Sequence, residues 1–304
     1  MSDRPLDPAL VSAAVYANSF RSVQRAARAT GLRTYSLRQD ALRHGGDHRV
    51  AEEFLVNSRL RRRDVEFESS VGAYFTEAGA TMASLVGRLS RPSTDALPLP
   101  SPLPLPMSVS EAIRQRRSVR TYTGEPVPLS WVATLAFAAE GVTHTTASGD
   151  SGVEMALRSA PSAGALYPVE LRLAALRVTD LACAVYAYDA QRHELVTVGD
   201  ETALDGLMES LAVADEIVMC SQAALVCLFV ARPWRSMRKY GPRGMRHVFI
   251  EAGAMAENVN LAAVALGLGA VDCSSVYDDE AHEALGIDGV YEAVVHAQVL
   301  GTPA

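Results

Sequence analysis

Lysine is almost missing from this sequence: 27 of its 28 basic residues are arginine, and Lys239 stands alone. Cysteine is scarce too. Cys183, Cys220, Cys227 and Cys273 lie far apart, with no CxxC pair and no histidine at zinc-finger spacing. That excludes a disulfide-stapled module and argues against a metal site, so all four read as reduced thiols. No run of 18 uncharged apolar residues occurs, and the opening MSDRPLDPAL has no basic stretch followed by an apolar one. Neither a membrane span nor a signal peptide is expected, and the chain reads as cytoplasmic with no membrane partner. GxGxxG and Walker motifs are also lacking, which leaves a nucleotide-binding βαβ unit without support.

With 304 residues and 49% hydrophobic content, the chain can bury one substantial core and carry an appendage. The net charge of −7 argues against a nucleic-acid partner, but it is unevenly spread. Residues 1–98 hold 14 arginines against 11 acids, whereas residues 99–304 hold 14 basic residues against 24 acids. Between these regions, the stretch RPSTDALPLPSPLPLPM cannot hold a continuous helix or an interior strand. The expected organisation is a helical N-terminal extension over 1–90, a proline-rich linker over 91–107, and a mixed domain over 108–304. In the extension, Val11–Leu42 and Val50–Leu60 have helical composition.

After the linker, Ser108 with Glu111 forms a capping-box signature that opens a short helix through Arg117. Leu129–Glu140 reads as a helix with Ser130 as its cap and Gly141 as its stop. Strands are expected at Val169–Leu176, Ala182–Tyr188 and Glu194–Val198. The unbroken apolar run Ala223–Ala231 suits a central strand. A long helix over Arg246–Leu266 and a closing strand over Glu292–Leu300 complete the pattern. Helices and strands without regular βαβ alternation point to an α+β fold.

Three constellations carry chemistry. Arg114-Gln115-Arg116-Arg117-Ser118-Val119-Arg120 gathers guanidiniums and a hydroxyl that suit a phosphate; a basic surface turn has the same composition. Pro161-Ser162-Ala163-Gly164-Ala165-Leu166-Tyr167-Pro168 is a run of small residues that would let the backbone approach a flat ligand, or would form an ordinary turn. Arg238-Lys239-Tyr240-Gly241-Pro242-Arg243-Gly244 holds the lone lysine. Unlike arginine, lysine can be tuned towards neutrality and act as a base; the alternative is a helix-end cap retained by chance.

Taken in order, RRSVRTY, RSAPSAGALYPVE, and RKYGPRGMRH followed by EAGAMAENVNLAAVALGLGA resemble the SagB-type dehydrogenases, the azoline oxidases of the nitroreductase superfamily. The resemblance spans roughly residues 107–301. It implies a nitroreductase-like fold, an antiparallel-rich sheet flanked by helices, that binds FMN and forms a homodimer with flavin sites at the subunit interface. By similarity, Arg116, Arg117, Ser118 and Arg120 match flavin phosphate and ribityl contacts, and Pro161, Ser162, Ala163 and Gly164 match the segment along the isoalloxazine ring. Asn258, Gly267 and Gly269 match a region near the flavin, and Lys239 with Tyr240 match the catalytic pair. Cys273-Ser274-Ser275 departs from the glycine-rich turn of many nitroreductases.

The implied function is FMN-dependent oxidation of a thiazoline or oxazoline to an azole in a ribosomally made precursor peptide, with a cyclodehydratase as a further partner. Aromatising such a ring removes one hydride and one proton, so a base must face the flavin. The resemblance assigns that role to Lys239 with Tyr240, and repulsion from Arg238 and Arg243 is expected to lower the lysine pKa. The alternatives are a general NAD(P)H-dependent nitro or quinone reductase of the same fold, and a flavin-bound scaffold in a peptide-modifying complex.

Overall fold

The apolar run near residue 225 has side chains suited to burial on both faces of a sheet, and it becomes the strand around which the chain is built. In a computed structural model of the protein, which describes residues 49–60, 62–79, 96–148 and 153–304, this strand is β9, Leu225–Ala231. Side chains alternate across a strand. Leu225, Cys227 and Phe229 enter one core cluster, while Val226, Leu228 and Val230 enter the other.

Beside β9 lie β5 (Val169–Ala175), β7 (Ala184–Asp189), β8 (Glu194–Gly199) and β1 (Ala96–Pro98) on one side, and β11 (Ala293–Gly301) and β10 (Gly269–Asp272) on the other. The order is β1-β8-β7-β5-β9-β11-β10, and every pairing is antiparallel. Two small ribbons stand apart: β2 (Val127–Pro128) with β6 (Val178–Thr179), and β3 (Val142–Ser148) with β4 (Val153–Arg158).

Helices cover both faces of the sheet. On one side, α4 (Leu129–Glu140) packs Val132, Leu135, Ala136 and Ala139 against α7 (Gly244–Ala265), which contributes Val248, Met255, Val259 and Ala263. On the other, α5 (Glu201–Glu209) and α8 (Asp278–Leu285) bring Leu204, Leu207, Ala281 and Leu285. By length and composition Pro233–Ala265 could cross a membrane, but 56% of its apolar window is buried in the core. The four cysteines are free.

Local signals explain the ends of several elements. The capping box opens α3 (Val109–Gln115): Ser108 accepts from the Glu111 amide, and the Glu111 carboxylate accepts from the Ser108 amide. The helix stops at Gln115 with Arg116 as its C-cap, short of the expected Arg117. Helix α4 is capped by Pro128 rather than Ser130, whose carbonyl instead accepts from Thr134 within the helix.

The chain divides into two compact units, Met1–Arg62 and Arg63–Ala304. The first contains α1 (Arg49–Asn57), where helical composition begins again after Gly45-Gly46; the helix read over Val11–Leu42 lies outside the described residues. The second unit begins ahead of the proline-rich stretch and includes α2 (Val65–Thr76), capped by the Asp64 carboxylate accepting from the Phe67 amide. Within that stretch, residues 96–98 form the edge strand β1.

Candidate functional site

Lys239 and Tyr240 end the short helix α6 (Pro233–Tyr240), which was not anticipated from composition and which Pro233 opens at its first turn. Lys239 is 2% exposed. Its Nζ lies 3.7 Å from the centroid of the Tyr74 ring and 5.2 Å from that of Tyr240. Burial pushes the lysine down to about 8; like-charge repulsion from Arg238 and Arg243, expected from the sequence, is not the cause. The Tyr240 phenol, half-buried, is raised by burial and so holds its proton.

The small-residue segment meets this pair. Gly164 has φ +65°, which favours glycine, and a Cβ on it would lie 2.7 Å from both Lys239 Nζ and the Tyr240 hydroxyl, so a side chain there would displace these two ends. Ala165 and Tyr167 also adopt positive φ, at 52° and 47°. Such strain persists only where surroundings hold it. Here the Ser162 hydroxyl accepts from the Tyr167 amide at 2.9 Å, the Tyr167 hydroxyl accepts from the Arg158 amide at 2.8 Å, and the Tyr167 carbonyl accepts from Arg235 at 3.1 Å.

Buried charges brace the segment from behind. Arg235 and Arg232 both pair with Glu170, Arg158 pairs with Glu140, and Glu140 accepts from the Leu171 amide at 2.8 Å. Glu251 of α7 accepts from the Val169 amide at 3.1 Å and bonds the Ser162 hydroxyl; burial pushes its carboxyl up to about 7.

The arginine turn lies elsewhere. Val119 donates its amide to Ala270 at 3.0 Å, and Ser118 bridges Ala270 in parallel, which lays the turn along β10. A cleft of about 320 Å³ opens there, lined by Gln115, Arg116, Arg117, Asn260, Gly267 and Pro303 among others. Arg117 folds back onto the carbonyls of Arg114 and Arg116 at 2.8 and 2.7 Å. The Arg116 guanidinium makes no hydrogen bond or ion pair among the described residues. Ser118 and Arg120 are exposed and fall outside the lining.

Of the three α7-end residues singled out from the sequence, Gly267, at φ +80°, lines this cleft. Gly269 is a packing glycine, because a Cβ there would lie 2.5 Å from Val119. Asn258 is half-buried outside the lining, whereas Asn260, missed in the sequence, faces the cleft. Asn260 also borders a second groove of about 400 Å³ with Phe249, Gly253, Glu257, Asp272 and His296. Asp272 accepts from Asn260, Gln298 and His296 there, at 3.3, 3.0 and 2.8 Å. Tyr74 was missed as well, since α2 lies outside every motif quoted.

The fold thus brings Gly164, Lys239 and Tyr240 together but leaves the arginine cleft apart from them. They occupy opposite ends of α7, whose 22 residues span roughly 33 Å.

A seven-stranded antiparallel sheet with an arginine-lined cleft at one end of its long helix and a buried lysine–tyrosine pair at the other defines the class: the chain belongs to the nitroreductase family, whose model matches residues 113–302. Among individual relatives, a Methanocaldococcus jannaschii protein named as a nitroreductase, MJ1384, is 34% identical over 193 residues, 64% of this chain and 91% of its own. A solved nitroreductase-family structure from Ralstonia eutropha is 26% identical with TM-score 0.56, covering 72% of this chain and 96% of that one. A chain of the E. coli microcin synthetase McbBCD complex with truncated pro-MccB17 bound shares the fold at 19% identity and TM-score 0.55, over 88% of this chain and 97% of that one.

Proposed function

We propose that the protein is an FMN-dependent dehydrogenase that oxidises azoline rings to azoles in a ribosomally made precursor peptide. The observation that carries this reading is the sole lysine of the chain, buried, shifted towards neutrality, and set with Tyr240 against Gly164. A reductase that only relays electrons has no need of such a base, whereas aromatising an azoline does.

The residues present fit FMN. Arg116 faces a cleft with its guanidinium uncommitted among the described residues, as a phosphate requires, and Gly164 leaves room where a side chain would block Lys239 and Tyr240. When bound, FMN supplies the two-electron acceptor. Because Lys239 is 2% exposed, Tyr240 is the member that meets the ring; it hands its own proton to neutral Lys239 as it takes one from the substrate.

The two half-sites lie too far apart for one flavin to reach both within a chain. We infer that they are completed across a homodimer in which two copies of α7 run antiparallel, bringing the arginine cleft of one copy to the Lys239 end of the other. Exposed Phe249 and Ile250 on α7 supply apolar surface for that contact. The shared fold with a chain of a peptide-bound microcin synthetase complex supports a precursor peptide and a cyclodehydratase as partners.

Similarity to a relative named as a nitroreductase favours a second reading, a nicotinamide-fed reductase. Anaerobic mixing separates the two. Flavin bleaching by an azoline peptide, with a mass loss of about 2 Da per ring, is expected; bleaching by NADH or NADPH alone would replace the proposal with the reductase.

A further inference from the structure

Helix α2 precedes the family match, which starts at residue 113, yet one face of it reaches the Lys239–Tyr240 turn. Phe67, Ser70 and Tyr74 share that face at helical spacing. The Ser70 hydroxyl donates to the carbonyls of Arg238 and Lys239 at 2.8 and 2.9 Å, and the Phe67 ring lies 6.1 Å from that of Tyr240. Tyr74, 2% exposed, sets its ring 3.7 Å from Lys239 Nζ and donates its hydroxyl to the Gly164 carbonyl at 3.2 Å.

We propose that Tyr74 is a positioning residue for the Lys239–Tyr240 pair: its ring holds Nζ in place and screens it from water, while its hydroxyl fixes the Gly164 carbonyl. The segment ahead of the proline-rich stretch thereby completes the reactive corner of the site. The catalytic meaning of this role rests on the dehydrogenase reading above.

An ammonium over a tyrosine face is attracted by the ring, which favours its charge, while exclusion of water opposes it. Burial holds Lys239 down, to about 8. Among the described residues, ionisable groups lie against Lys239 from two helices. Tyr74 comes from α2 and Tyr240 from α6; the 163–165 turn offers none. Beyond Tyr240 stand Arg243 and His247, the latter held down by burial and Arg243, and Glu251 sits behind Ser162.

Because Lys239 is the only lysine, growing the full-length holoprotein on lysine carbon-13-labelled at Cε gives a single side-chain resonance whose shift titrates this one group. The parent is expected to titrate near 8. Tyr74→Phe keeps the ring and should stay within about half a pH unit, whereas Tyr74→Ser should rise by about one unit or more towards the ordinary lysine value. Should serine prevent folding, checked by circular dichroism and flavin content, Tyr74→Ala, which opens the same space to water, is read in the same way. A serine or alanine variant that titrates with the parent, or below it, overturns the proposal.

Tyr74→Phe should also slow azoline-driven flavin bleaching about tenfold through the lost hold on Gly164; an unchanged rate removes that role for the hydroxyl. The titration needs no substrate. An azoline peptide that fails to bleach the flavin would end the dehydrogenase reading and leave the titration result standing, while an unshifted serine variant would end the role of Tyr74 and leave that reading standing.

Discussion

Lys239 can serve as a base only in its neutral form, and burial alone brings it within reach of neutral pH. Azoline oxidation should therefore rise with pH through a limb near 8, seen in single-turnover rates across a pH series. Lys239→Arg, which cannot lose its proton, is expected to keep the flavin and lose azole formation by about 100-fold or more, as mass spectrometry of the peptide would show. Gly164→Ala adds a Cβ 2.7 Å from both reactive side-chain ends at a backbone angle that alanine resists. It should depress turnover more than flavin content, which parallel absorbance and rate measurements would separate. The lysine was legible in the sequence because composition isolated it. Tyr74 was not, because a tyrosine in an amphipathic helix carries no mark of what it will touch.

At the scale of elements, the loop holding Gly164 owes its shape to charges buried behind it. Glu170 holds two arginines, and Glu170→Ala would leave buried Arg235 without its carboxylate partner, while Arg232 would keep Glu292. Breaking such a pair costs about 3–5 kcal/mol, measurable as a lower denaturant midpoint. Glu251 behaves differently. Its folded pKa, about 7, stands above the ordinary carboxylate value of about 4.5, so the folded state binds the extra proton between these values and stability falls as pH rises from about 4.5 through about 7. Glu251→Gln should flatten that part of the stability curve, by up to about 1.4 kcal/mol per pH unit.

The sequence marked β5, β8, β9, α4, α7 and β11 to within a residue or two, since their periodicity and length leave few alternatives. Helix α6, with its polar and charged composition, and the short strand β10 went unread. Both are fixed by tertiary contacts: buried Arg235 and Lys239 in α6, and β11 pairing in β10.

For the whole molecule, the separation of the arginine cleft from the lysine corner by the length of α7 underlies the proposal that a second copy completes the site. Phe249→Asp, a charge placed on the exposed face of α7, should yield monomers that have lost their flavin together with their dimerisation, as light scattering with inline absorbance would record. The arginine turn, the small-residue segment and the lysine segment were each legible in the sequence, but which of them meet was not. Nor was their separation, because that is the length of a helix whose role as a spacer emerges only once both of its ends are placed.

The large sheet also ends in a particular way. On one side its border is β1, three residues from a proline-rich stretch that stop at Pro98; on the other it is β10, along which Ser118 and Val119 run. A bare strand border is a template for other chains. The proline stretch and the arginine turn, whatever else they do, act as selvedges that keep neighbouring molecules from knitting on. Removing residues 91–107 would open the whole length of β8 to such pairing, and the expected result is fibrous or amorphous precipitate rather than a trimmed soluble enzyme.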